Sequence, residues 1–184
     1  MDRDAAWELL CEYTKSEGLR KHGLAVEAVM RHFARKHGED EAAWGMAGLV
    51  HDFDYEVHGD RHPMDGEPIL RERGYAEEII VAIQGHGNHT GVPRESLMAK
   101  VLFAVDELAG LVTAVALVRP SKSIHDLEPR SVRKKMKDKA FARTVSREDI
   151  AQGADELGAD LNEHIAEVIA AMRTVADDLG LAGQ

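Results

Sequence analysis

The sequence predicts an all-α protein, a single-domain helical bundle with an additional C-terminal helical segment, and three observations predict it. Apolar residues recur at helical spacing in one segment after another. Good helix formers dominate a chain that is only 5% aromatic. No stretch alternates apolar and polar residues as a strand does, and no internal repeat is present. At 184 residues the chain is one ordinary domain, or one domain with an appendage, large enough to bury a core. The expected division is a core over residues 1–118 and a helical extension over 119–184 packed on it.

Residues 3–17 read as an amphipathic helix with Trp7, Leu10, Cys11 and Tyr13-Thr14 near one side, ended by Gly18. A second helix spans about Leu19 to His37, where His22, Val26, Val29 and Phe33 form one inward stripe. His32 and His37 fall off that stripe and read as solvent-side. Glu39 to Asp52 is an apolar third helix that ends in His51-Asp52 and a polar, helix-breaking run, Asp54 to Asp60. Arg61-His62-Pro63 then reads as a helix start running to Gly74, with Pro68 either kinking the helix or moving its beginning. A helix from about Ala76 places Ile79, Ile83 and His86 on one face, before the turn residues Gly87 to Pro93. Ser96 to about Val118 is apolar nearly all round and belongs at the centre of a bundle, with Asp106 on the face of Leu102, Ala109 and Thr113. A loop over Pro120–Pro129 and a basic run over Arg130–Arg143 follow, and Ser146 caps a helix with Asp149 three residues on. The last helix, about Asp160 to Leu179, carries Leu161, Ile165, Val168, Met172 and Val175 as a core or dimer stripe, which leaves a homodimer open.

Composition narrows the function. The lone Cys11 excludes an intrachain disulfide and a cysteine-rich zinc site, so a reducing cytoplasm is the expected location. Residues 1–20 carry acidic groups and no signal-peptide core. The longest apolar run, Leu108–Val118, falls far short of the roughly 20 residues of a membrane span. A formal charge of −10 argues against general nucleic-acid binding and requires a local positive centre for any anionic substrate.

An imidazole and a carboxylate at the mouth of a buried segment lose hydration unless something compensates, and a divalent cation compensates both. Taken singly, His51-Asp52 reads as a helix-end polar cluster, His22 as a satisfied core histidine and Asp106 as a buried carboxylate in need of a partner. Taken together, the order His … His-Asp … Asp resembles the HD superfamily of metal-dependent phosphohydrolases over about residues 20–115. His62-Pro63-Met64-Asp65-Gly66-Glu67-Pro68-Ile69-Leu70, Ala82-Ile83-Gln84-Gly85-His86 and Lys100 to Leu108 are similar to the segments that follow the His-Asp pair in binuclear, HDIG-like members. The resemblance implies an HD-type helical fold in which His22, His51, Asp52 and Asp106 hold one metal, with Asp52 bridging to a second held by His62 and His86. Two departures stand out. Pro68 interrupts a segment that is one helix in the family, and the GYP signature of the HD-GYP proteins is absent, which argues against cyclic-di-GMP hydrolysis.

Four neutral imidazoles and two carboxylates around two divalent ions leave a net charge near +2, the positive centre that the acidic chain otherwise lacks. Ions roughly 3.5–4 Å apart polarise a phosphoryl oxygen and acidify a bridging water. Mixed nitrogen and oxygen ligation suits one or two ions of Mn, Fe, Co, Ni or Zn. The expected activity is therefore cleavage of a phosphoester or phosphoanhydride bond of a nucleotide or small phosphorylated metabolite by a metal-activated hydroxide, with Asp52 as catalytic residue. The rivals are a di-iron HD-type oxygenase and a non-catalytic metal- or nucleotide-binding regulatory module.

Around these six, His89 reads as a substitute ligand, a substrate contact or a plain loop histidine. Lys100 is a candidate to orient a phosphate and Glu107 a water. Lys134 and Lys135, within the basic run Arg130, Arg133, Lys134, Lys135, Lys137, Lys139 and Arg143, are candidates to grip phosphates against the simpler reading of a solvated helix face. His58, His125 and His164 read as surface residues.

Overall fold

The computed structural model describes residues 2–183, and the fold is all-α. Helices α1 (Arg3–Tyr13), α2 (Glu17–His37) and α3 (Glu41–Val50) form the first layer. A short α4 (Tyr55–His58) leads through two 3₁₀ turns to α5 (Glu67–Glu72) and α6 (Glu77–Gln84). The long α7 (Leu97–Leu117) is followed by α8 (Pro129–Met136), α9 (Arg147–Glu156), α10 (Leu161–Arg173) and α11 (Ala176–Leu179). Among the described residues the one extended pairing is an isolated bridge between Ser123 and Ala182. No described helix is long and apolar enough to cross a membrane.

Helix α7 is central, as its unbroken apolar run demands. Val101, Leu102, Val105, Leu108, Leu111 and Val112 are all buried, and α2, α6, α9 and α10 pack on it. The closest pairing is α2 against α3, and glycine permits it. A Cβ on Gly48 would lie 2.8 Å from the Val26 carbonyl oxygen, and one on Gly23 2.7 Å from that of Leu49. Both backbones therefore touch, which brings the ends of α2 and α3 that carry His22 and His51 to the same place. Beyond α7, α9 packs on α7, α10 packs on α2, α7 and α8, and α11 packs on α2.

Several boundaries differ from the sequence reading. The first helix ends at Tyr13, where the Thr14 hydroxyl donates to the Phe53 carbonyl at 2.9 Å. Gly18 does not end it. Ser16 instead caps α2, and Gly18 lies in the first turn of that helix. The third helix starts at Glu41, because the Asp40 carboxylate accepts from the backbone of Ala42 and Ala43. Pro63 begins no helix. It follows a cis peptide bond in a turn, and Pro68 moves the helix start to Glu67 rather than kinking it. The final helix breaks at Thr174, whose hydroxyl takes the Ala171 carbonyl at 2.7 Å, so α10 and α11 are separate. His164 is buried, not on the surface. Its Nε2 donates to the Ala104 carbonyl at 2.9 Å, and burial lowers its pKa, so it stays a neutral core histidine. His58 is half-buried near Asp65, His32 is half-buried against Glu167, and His125 and His37 are exposed.

Candidate metal centre

Each helix delivers its residue by simple geometry. His22 sits on α2, on the stripe that also carries the buried Val26 and Val29, and Asp106 sits midway along α7. His51 caps the end of α3, and His86 follows the Gly85 cap of α6. His62 stands in the turn ahead of α5, so the proline that departs from the family segment leaves this side chain in the site.

The six side chains converge as two groups that share Asp52. On one side, Asp52 Oδ2 lies 3.3 Å from His51 Nε2 and 3.6 Å from His22 Nε2. Asp106 Oδ1 lies 2.8 Å from His22 Nε2 and 3.3 Å from His51 Nε2. On the other side, Asp52 Oδ1 lies 3.1 Å from His62 Nε2 and 3.5 Å from His86 Nε2. One carboxylate thus presents a different oxygen to each group.

Hydrogen bonds behind the rings fix the tautomers. His51 Nδ1 donates to the Gly48 carbonyl at 2.8 Å, His62 Nδ1 to Asp54 Oδ1 at 2.6 Å, and His86 Nδ1 to the Ile83 carbonyl. In the neutral form, each Nε2 is then a lone-pair donor aimed into the cluster. The Nε2 atoms of His62 and His86 face one another at 3.1 Å, a contact that repels unless a positive charge lies between them. His51 Nε2 is buried and has no hydrogen-bond partner among the described residues. A buried orphan of this kind costs about 1–3 kcal/mol. Both observations are satisfied by cations, and the donor set suits divalent transition metals.

Without a cation, protons take that place. Burial lowers the His51 pKa, but the charges of Asp52 and Asp106 outweigh it and hold the pKa well above the ordinary value. Burial raises the Asp52 and Asp106 carboxyls, yet the His51 charge and the imidazole hydrogen bonds hold both well below the usual range. Burial likewise lowers His62, and its bonds to Asp52 and Asp54 overcome this to push it up to about 9. A raised folded pKa stabilises below the ordinary 6.5, and that stabilisation is lost as pH climbs through about 9. Thermal melts of metal-free protein should therefore show a falling Tm between those two pH values. Metal affinity at the His62–His86 pair should rise over the same window by up to about tenfold per pH unit, because binding displaces the His62 proton. A Tm and an affinity flat across the window would contradict the assignment.

Asp54 is the buried partner of this cluster that the sequence reading passed over. It is fully buried and anchors His62, and it fits only because residue 66 is glycine. A Cβ there would come within 2.8 Å of the Asp54 carboxylate. The cluster opens into a cavity of about 500 Å³ whose walls include Tyr55, Asn88, His89, Glu107, Thr144 and Asp149. Burial and the neighbouring Asp106 push the Glu107 carboxyl up to about 7, and it accepts the Ser146 backbone N–H at 3.1 Å. His89 lines this cavity while its Nε2 donates to the His62 carbonyl at 3.0 Å, so that nitrogen is turned away from the cluster. Lys100 does not reach the cavity walls and lines a neighbouring depression with Arg94 and Glu156. Lys134 and Lys135 also lie elsewhere. Lys134 lines a depression with Arg130, Arg133, Lys137 and Asn162, and Lys135 stands over the Phe141 ring at 4.5 Å.

The family model for the HD domain matches residues 19–111, the segment that carries all six clustered side chains. This chain belongs to the HD-domain family. The chain is 32% identical, over 99 residues, to proteins named ribonuclease Y from two strains of Nitratidesulfovibrio vulgaris, DP4 and Hildenborough. It is 30% identical over the same length to ribonuclease Y from Lawsonia intracellularis. Each alignment covers 52% of this chain, and the chain spans less than a fifth of each relative, 18% for the first two and 19% for the third.

Proposed function

We propose that this HD domain is a metal-dependent phosphohydrolase that cleaves a phosphoester or phosphoanhydride bond of a nucleotide or small phosphorylated metabolite. The observation that carries the reading is the sharing of Asp52 between two groups of inward-facing imidazole nitrogens, one of which, His51 Nε2, is buried without a hydrogen-bond partner. His22, His51, Asp52 and Asp106 would hold one divalent cation, and Asp52, His62 and His86 a second. When bound, such a pair supplies Lewis acidity toward a phosphoryl oxygen and toward water.

The chain's own residues do the rest. Asp52 orients both groups at once through its two oxygens. Asp54, Gly48 and Ile83 hold the imidazoles in the tautomer that leaves Nε2 free. Tyr55, Asn88 and His89 line a cavity in the size range of small-molecule sites and are positioned to contact a substrate.

A second reading, a phosphodiester bond of RNA as the target, draws on the name of the ribonuclease Y relatives and on the basic depression at α8. The net charge of −10 weighs against it. One experiment addresses both. Purified protein is analysed for metal, then assayed for phosphate release from a panel of small phosphate esters and anhydrides that includes nucleotides, sugar phosphates and alkyl and aryl phosphates, and for cleavage of a short oligoribonucleotide, with Mn²⁺, Fe²⁺ or Ni²⁺. Phosphate release from small substrates is expected. Salt-sensitive cleavage of the oligoribonucleotide alone would favour the second reading. Oxygen consumption without phosphate release would overturn both in favour of a di-iron oxygenase.

A further inference from the structure

Several helical glycines in this protein are required by close packing, and Gly18 and Gly110 are not. A Cβ at Gly23 or Gly48 would strike the backbone of a neighbouring helix, and one at Gly153 would lie 2.5 Å from the Ala104 Cα. Gly110, in the interior of α7, is different. A Cβ there would meet only Val145 Cγ2, at 3.9 Å, which is ordinary contact. Glycine in a helix interior costs stability relative to alanine, and here no close approach requires it.

Gly110 stands where two cavities meet. It lines the metal cavity, and it also lines a second one of about 320 Å³. His22 is the other residue shared by both. The remaining walls of the second cavity are Gly18, Lys21, Thr113, Leu117, Leu179 and Gly180. Along α7, Asp106, Gly110, Thr113 and Leu117 recur at intervals of four, three and four residues, so they form one stripe. The stripe runs roughly 16 Å from the metal ligand to Leu117. Its cationic member, Lys21, pairs with Glu17 at 2.7 Å in an exposed ion pair, and Gly18, Thr113, Leu117, Leu179 and Gly180 carry no charge, so the floor of the trough is mainly apolar.

We infer that this trough, joined to the metal centre past Gly110 and His22, binds the leaving group of the substrate, and that this leaving group is uncharged and mainly apolar. The inference rests on the phosphohydrolase reading and narrows it, away from sugar phosphates and polyphosphates and toward phosphate esters of apolar alcohols, whether chain or ring.

The test uses metal-loaded protein and non-hydrolysable phosphonates, read by calorimetric binding. Methyl-, propyl- and hexylphosphonate form a ladder in which each buried methylene strengthens binding about fourfold, and phenylphosphonate distinguishes a ring from a chain. In the wild-type protein Kd should fall along the ladder, and Gly110→Leu, which fills the junction, should flatten it, with metal content reporting an intact ligand set. Should Gly110→Leu not fold, Gly110→Ala serves instead and should shorten the ladder by about one methylene. A wild-type ladder without slope, or a slope that survives Gly110→Leu, overturns the inference while leaving the phosphohydrolase reading in place. Failure of methylphosphonate and inorganic phosphate to bind the metal-loaded protein at all would be a different result, and it would remove both.

Discussion

Asp52→Ala should leave a folded protein that retains neither cation and turns over no faster than background. Each group in the cluster draws on a different oxygen of this carboxylate, at 3.1–3.6 Å from four imidazole nitrogens, so a single truncation affects both. Loss of an outer hydrogen bond to a ligand costs about 10–100-fold in metal affinity, and loss of a shared ligand should exceed that at both positions. Asp106→Ala is the informative contrast. It removes the oxygen that lies against His22 and His51 and leaves the His62–His86 pair untouched, so it should release one ion and keep the other. Metal content by elemental analysis, beside turnover, reads both variants. Full activity in Asp52→Ala would contradict the proposed mechanism.

Asp54→Ala should be the most damaging change at a residue that touches no cation. The carboxylate is fully buried, and its bond to His62 Nδ1 is 2.6 Å. Truncation strands a buried N–H, at about 1–3 kcal/mol, and frees the ring to rotate or to change tautomer. Metal affinity at the His62–His86 position should fall about 10–100-fold, while the group built on His51 and Asp106 keeps its ion. The His62 pKa should also drop from about 9, since its bond to Asp54 helps to raise it. Asp54→Asn keeps an acceptor oxygen and should recover part of the affinity. Equal loss from both positions, or none, would show that Asp54 does not act through His62.

The inward turn of three of the six clustered side chains was legible because helical stripes carry them, whereas His51-Asp52 and His62 were picked out by the resemblance to the HD superfamily. His22 shares its period with Val26 and Val29, His86 with Ile79 and Ile83, and Asp106 with Leu102, and burial of those apolar partners carries the polar residue inward. Asp54 was not legible in the same way. It stands in a polar run that reads as a surface turn, and its burial depends on a glycine twelve residues later that makes room for the carboxylate. His164 was misread for a related reason, since the stripe through Leu161 and Ile165 passes beside it, and only the seating of α10 against α7 supplies the Ala104 carbonyl that satisfies it. Lys100 is close to Asp106 in sequence, but six residues on a helix turn the two side chains roughly 120° apart. Charge type can be read along the chain. The face that a charge occupies emerges only once the helices have crossed.

The two groups of side chains should be two cation positions joined through one carboxylate. Crystals grown with Mn²⁺ and measured for anomalous scattering test this directly. Two peaks should flank Asp52, one against Oδ2 with His22, His51 and Asp106, the other against Oδ1 with His62 and His86. Density with no anomalous peak between these side chains, or with manganese bound only elsewhere on the chain, would contradict it.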